Sequence, residues 1–124
     1  MTPAPTLVDI GLNLAHDSFD HDRAEVVAAA LASGVRHMVI TGSTLDSTRH
    51  AIDLARSDPA VLRATAGVHP HHASELRIDD LPRLRELFAT SLRPVLSGQS
   101  LGGLAALHAA WTAPGVFGGL LMQS

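Results

Sequence analysis

The sequence predicts an α/β protein with a mainly parallel sheet of five strands. Two observations carry that reading. Short apolar runs alternate with stretches of helical periodicity along all 124 residues, as repeated βα units do. Glycine or an Asp-Pro pair also closes the helical stretches, which keeps the units short. The length suits one compact domain over residues 1–124 and is tight for two.

The first strand is expected over residues 6–14, with Val8, Ile10, Leu12 and Leu14 on one face. Helix one should run from Asp22 to Ser33, with Val26, Val27, Ala30 and Leu31 inward, Asp20 as its cap and Gly34 as a left-handed stop. Strand two falls at residues 36–42. Ser43 or Thr44 then caps a helix with Leu45, Thr48, Ile52 and Ala55 at helical spacing, ended by Asp58-Pro59. Strand three, residues 62–68, leads into the loop HPHHASE. A third helix begins near Asp80, where Asp79 and Asp80 mark its start, and presents Leu81, Leu84, Leu87 and Phe88. Strand four covers 93–98, an Ala-rich helix follows and ends before Pro114, and strand five covers 118–124.

Composition narrows the function classes. Hydrophobic residues make up 46% and charged residues 17% of the chain, which is globular usage. There is one Trp and no Tyr, so stacking platforms for bases are scarce. Lys and Arg total 9 against a net charge of −3, with no basic run. Nucleic acid is therefore expected to be an unlikely partner. Absence of cysteine excludes disulfides and thiolate metal sites. With no signal-peptide pattern and no long apolar run, a cytoplasmic protein without membrane contact is expected.

Residues 7 to about 75 resemble the N-terminal part of the TatD family of metal-dependent deoxyribonucleases. The likeness lies in LVDIGLNL, DRAEVVAAALASGV, ITGSTLDSTRHAIDLAR and TAGVHPHHASE, in the family's order and spacing. It extends to the third helix, so that about residues 6–88 are similar. The resemblance implies a (β/α)₈ barrel and phosphodiester hydrolysis with divalent metals at the C-terminal strand ends. Where most relatives carry His-x-His at the end of strand one, this chain has Gly11 and Asn13, as one branch of the family does. Asp9 and the loop histidines His69, His71 and His72 remain, and the resemblance implies that His69 contacts substrate phosphate. The family's later glutamate, two histidines and aspartate have no counterparts. No resident cofactor or metal site is expected, only adventitious divalent metal. A solvated His-rich loop is the plainer alternative.

Residues 93–124 instead resemble the nucleophile-elbow region of enterochelin-esterase-like α/β-hydrolases. GQSLG fits G-x-S-x-G between a strand and a helix. That likeness makes Ser100 a candidate nucleophile and the Leu101 backbone N–H a candidate oxyanion donor. A neutral serine needs an adjacent base, and the family's acid and histidine are not found; His108 lies mid-helix on the wrong side. A structural strand–helix turn is the simpler reading. A makeshift pairing of Ser100 with His69 or His71 at one sheet edge is the route by which catalysis could arise, with His69 and Ser100 as candidate catalytic residues.

The TGST run at residues 41–44 could hold an anion at a helix start, although ordinary capping explains it. His16, His21, His37 and His50 read as surface residues. Two architectures compete: a partial TIM barrel with strand order 1-2-3-4-5, or a flavodoxin-like sandwich, 2-1-3-4-5, lacking its last helix. The function expected is that of a chimeric or fused protein, natural or engineered, joined near residues 88–95, with no complete active site and no efficient activity. The alternatives are a weak serine esterase using Ser100 and a degenerate TatD-like metal-dependent phosphodiesterase. Incomplete cover of the sheet predicts a homo-oligomer, most simply a dimer.

Overall fold

The computed structural model describes residues 5–89, 95–99, 101–116 and 119–123. The elements appear in the predicted order: β1 (Leu7–Leu12), α1 (Arg23–Ala32), β2 (Val35–Ile40), α2 (Leu45–Ser57), β3 (Leu62–Ala64), α3 (Leu81–Ala89), β4 (Val95–Gln99), α4 (Leu101–Thr112) and β5 (Gly119–Gln123). Short 3-10 turns at Asp17–Phe19, Pro70–Glu75 and Ile78–Asp80 punctuate the loops. Two compact units result, one reaching Leu87 and one beginning at Phe88.

The first unit holds a parallel sheet in the order β1-β2-β3. This is the barrel order. A flavodoxin-like arrangement would put β1 in the centre, where β2 stands, so that alternative fails. The sheet has three strands, not the expected five. β4 and β5 pair with each other instead, in a separate parallel ladder running from Val95↔Gly119 to Gln99↔Gln123.

The core of the first unit forms where the sheet meets its helices. Met38 and Ile40 of β2, Leu62 of β3, Leu14 and Ala15 after β1, and Ala51 of α2 are buried. The predicted stripe of α1, Val26, Val27, Ala30 and Leu31, packs against them. Each large buried side chain contributes about 1.5–3 kcal/mol, so Met38, Ile40 and Leu14 dominate this region. Gly34 ends α1 at φ +97°, the left-handed position where an added Cβ is strained.

Several boundaries differ from expectation for identifiable reasons. β1 ends at Leu12, and its pairing with β2 shifts register between Leu7 and Val8 and again between Asp9 and Leu12. The shifts break the simple alternation: Leu12 and Leu14 reach the core, whereas Val8 and Ile10 are about half exposed, 50% and 56%. The cap of α1 is Asp22, which makes no side-chain capping bond; Asp20 pairs with Arg23 instead. α2 starts as expected at Thr44, in a reciprocal capping box with Ser47. Only Leu62–Ala64 of the third run is regular strand, because past Thr65 the chain leaves the ladder for a loop.

The second unit is a βαβ unit whose helix is rich in Ala and Leu. Among its described side chains Ala106 is buried, while Leu104, Leu107, Trp111 and Val116 are exposed, Trp111 at 83%. Among the described residues no helix is long and apolar enough to cross a membrane.

Candidate functional site

In a parallel sheet the loops that leave the C-terminal strand ends carry the chemistry. Here these are the loops after β1, β2 and β3, and the third holds the histidines. The chain beyond β3 stays beside the end of β2: Thr65 N–H donates to the Ile40 carbonyl (2.9 Å), Gly42 N–H to Thr65 Oγ1 (3.1 Å), and His69 N–H to the Ser43 carbonyl (2.9 Å). Fully buried Thr48 joins the two segments through Oγ1, which donates to the Gly67 carbonyl at 3.3 Å. Gly42 makes this approach feasible. A Cβ there would meet Thr48 Oγ1 and lie 2.5 Å from the Thr65 carbonyl oxygen and 2.9 Å from Thr48 Cα.

His69 thus begins a 3-10 turn at a fixed place on the edge. Its Nδ1 accepts the His71 N–H at 3.2 Å. A ring nitrogen that accepts carries no hydrogen, so in the neutral imidazole the N–H sits on Nε2. The ring is exposed and meets His71 edge to face, with centroids 4.6 Å apart. The result is an N–H donor of fixed tautomer on an exposed ring. His72 turns away and pairs with Glu75 through Nδ1 at 3.0 Å.

The other predicted residues do not join His69 into a larger constellation. The Asp9 carboxylate accepts the Gly11 N–H of its own strand, at 2.9 Å. Asn13 is exposed where β1 gives way to its loop. Among the described residues no three His, Asp or Glu side chains gather as a metal shell. What these residues offer phosphate by themselves is hydrogen bonding. The TGST run caps α2: Ser47 Oγ accepts the N–H groups of both Ser43 and Thr44, so those donors are spent. A groove of about 170 Å³ beside the turn is lined by Asp46, His72, Glu75 and Asp80 among others. Its carboxylates disfavour extending an anion contact in that direction. Ser100 lies outside the described residues; Leu101 opens α4, and His108 is exposed on it.

Sequence reading missed two residues, Arg23 and His50. His50, expected at the surface, is half-buried, and its Nδ1 lies 2.9 Å from the Ala15 carbonyl. Arg23 reaches back from the start of α1 to the Leu14 carbonyl and to Asp20. That contact holds the Asp20 carboxyl below its usual range, chiefly through the hydrogen bond from Arg23. A sequence shows the charges but not which distant carbonyl they meet.

Parallel βα units in barrel order, with a histidine turn at the C-terminal edge, define an α/β scaffold of the barrel type. The family model described as TatD-related DNase matches residues 8–96, and the chain belongs to that family. Among curated relatives, the 3'-5' ssDNA/RNA exonuclease TatD of Cronobacter sakazakii is 44% identical over 65% of this chain and 30% of its own length. The protein of the same name from Erwinia tasmaniensis is 43% identical over 65% of this chain and 31% of its own length. The crystal structure of a TatD-family hydrolase from Entamoeba histolytica superposes with a TM-score of 0.64 at 27% identity, covering 70% of this chain and 34% of that one. The chain thus spans about a third of the length of the relatives it matches.

The expectation that nucleic acid is an unlikely partner does not survive, because these relatives are named for acting on single-stranded DNA and RNA. It rested on the scarcity of aromatic residues and of a basic run, features of composition that do not exclude a family whose members are named for nucleic-acid substrates. The family match reaches residue 96, past the expected junction at 88–95. The esterase-like likeness and the fusion rest on the motif GQSLG and its flanks alone.

Proposed function

We propose that this chain is a degenerate TatD-like phosphodiesterase, which engages the phosphates of single-stranded nucleic acid at the His69 turn and cleaves them slowly. One observation supports this above the rest: the Nε2–H donor on the exposed His69 ring, its tautomer fixed by the His71 N–H and its backbone tied to Ser43. Such a donor suits a phosphate oxygen, and it stands on the edge where parallel α/β proteins keep their sites. Family membership supplies the substrate class.

The test is digestion of an end-labelled single-stranded oligonucleotide with Mg²⁺ or Mn²⁺, comparing the purified chain with His69→Ala. Slow shortening that falls about tenfold in the variant, the cost of one good hydrogen bond to a charged group, is expected. No shortening, or shortening indifferent to His69, sinks the proposal.

A further inference from the structure

A second built feature lies on the same sheet edge, in the loop after β1. Leu14, Ala15 and His16 are consecutive, and each of their carbonyls accepts a hydrogen bond from a side chain on a helix. Arg23 Nε donates to Leu14 at 3.0 Å, His50 Nδ1 to Ala15 at 2.9 Å, and an Arg23 terminal nitrogen to His16 at 3.3 Å. Arg23 belongs to α1 and His50 to α2. The same Arg23 nitrogen reaches Asp20 Oδ1 at 2.5 Å, so the far side of the loop is held as well.

We infer that Arg23 and His50 are positioning residues, a clamp from two helices that fixes the β1 loop on the sheet edge that also carries the His69 turn. Several features argue against incidental contacts. Leu14 and Ala15 are buried, so their carbonyls cannot turn to water and must find donors inside the protein. The Arg23 side chain is only 18% exposed, which an arginine accepts when its fork is filled. The His50 tautomer is also dictated. A carbonyl cannot donate, so Nδ1 carries the hydrogen, the reverse of His69. Behind the clamp the loop closes on itself: His16 N–H donates to Asn13 O at 3.1 Å and Phe19 N–H to His16 O at 3.2 Å. The Asn13 carbonyl therefore sits one hydrogen bond from a gripped residue, and the clamp adds to the hold that the buried Leu14 and Ala15 side chains give the loop.

The functional consequence rests on the proposed phosphodiesterase reading; the loop order does not, and the experiment separates them. Arg23→Met and His50→Leu remove the donors while keeping bulk. His50→Asn keeps an amide N–H close to the place of Nδ1. Amide hydrogen exchange is measured residue by residue in the full chain. In Arg23→Met and His50→Leu the His16 and Phe19 amides are expected to exchange about tenfold faster, while amides within α2 change little. His50→Asn is expected to restore most of the protection, a rescue that generic loss of packing does not give.

Binding of a short single-stranded oligonucleotide is read in parallel. It should weaken about fivefold or more in the two disruptive variants and recover in His50→Asn. Unchanged exchange at His16 and Phe19 overturns the clamp. Faster exchange with undiminished binding overturns its positioning role. A wild-type chain that does not bind the oligonucleotide sinks the reading of function, and exchange alone then decides the clamp.

Discussion

The two compact units are built from the same βα grammar and end in different physical states. In the first, three strands and two helices enclose a core in which Leu14, Met38, Ile40 and Thr48 are fully or almost fully buried. In the second, two strands share one helix, and the described side chains of that helix stay largely in solvent, Trp111 and Leu104 among them. Apolar composition is not what separates them, since α4 is the more apolar helix. The difference is sidedness. A helix with one apolar stripe, such as α2, tells its neighbours where to pack, whereas a helix apolar all round does not.

If that contrast is right, the largest effect of a single truncation belongs to β2. Ile40→Ala should destabilise the first unit by about 2–5 kcal/mol through lost burial and a residual cavity, measured by urea unfolding. A loss below about 1 kcal/mol would mean that this core is far looser than its burial implies. Gly42→Ala comes next, at about 1–3 kcal/mol, since its Cβ would press on backbone at Thr65 and Thr48. Exchange of the His69 amide should rise with it, because that N–H depends on Ser43 next door.

How much of this was legible in the sequence depends on range. The stripe of α1, the stop at Gly34, a cap of α2 at Ser43 or Thr44 (it is Thr44) and the Asp58-Pro59 stop are local consequences of side-chain periodicity and backbone preference, and the sequence shows them. The single five-stranded sheet was not, because pairing of β3 with β4 is a long-range choice that alternation of elements does not encode. Val8 and Ile10 looked buried for a similar reason: alternation assumes even register, and β1 shifts twice. At the site, the HPHH motif announced itself. The Nδ1 and Nε2 assignments of His69 and His50 could come only from their backbone partners.

A smaller effect sharpens the contrast at the loop after β1. The Asp20 pKa is lowered in the folded chain, mainly by Arg23. A depressed carboxyl stabilises the fold above its unfolded value of about 3.9, and that contribution is lost as pH falls through the folded value. Asp20→Asn should therefore be less stable than wild type at neutral pH and indistinguishable from it in acid. The gap should also shrink with added salt, because the Asp20 carboxylate is exposed, at 64%. Equal stability at every pH would remove Asp20 from the account. The smallest effect is expected in the second unit: Trp111→Ser should change stability by no more than about 0.5 kcal/mol, as for an exposed side chain. A large loss would show that Trp111 is covered and that the sidedness argument is wrong.

The most direct measurement of the central claim is the imidazole nitrogen spectrum of His69 in the full chain, recorded at neutral pH with and without a short single-stranded oligonucleotide. The account predicts a hydrogen on Nε2, an unprotonated Nδ1, and a shift of the Nε2–H signal on adding the oligonucleotide but not on adding a nucleoside without phosphate. A hydrogen found on Nδ1, or a signal that ignores the oligonucleotide at saturating concentration, would contradict the assignment of the His69 turn as the phosphate contact.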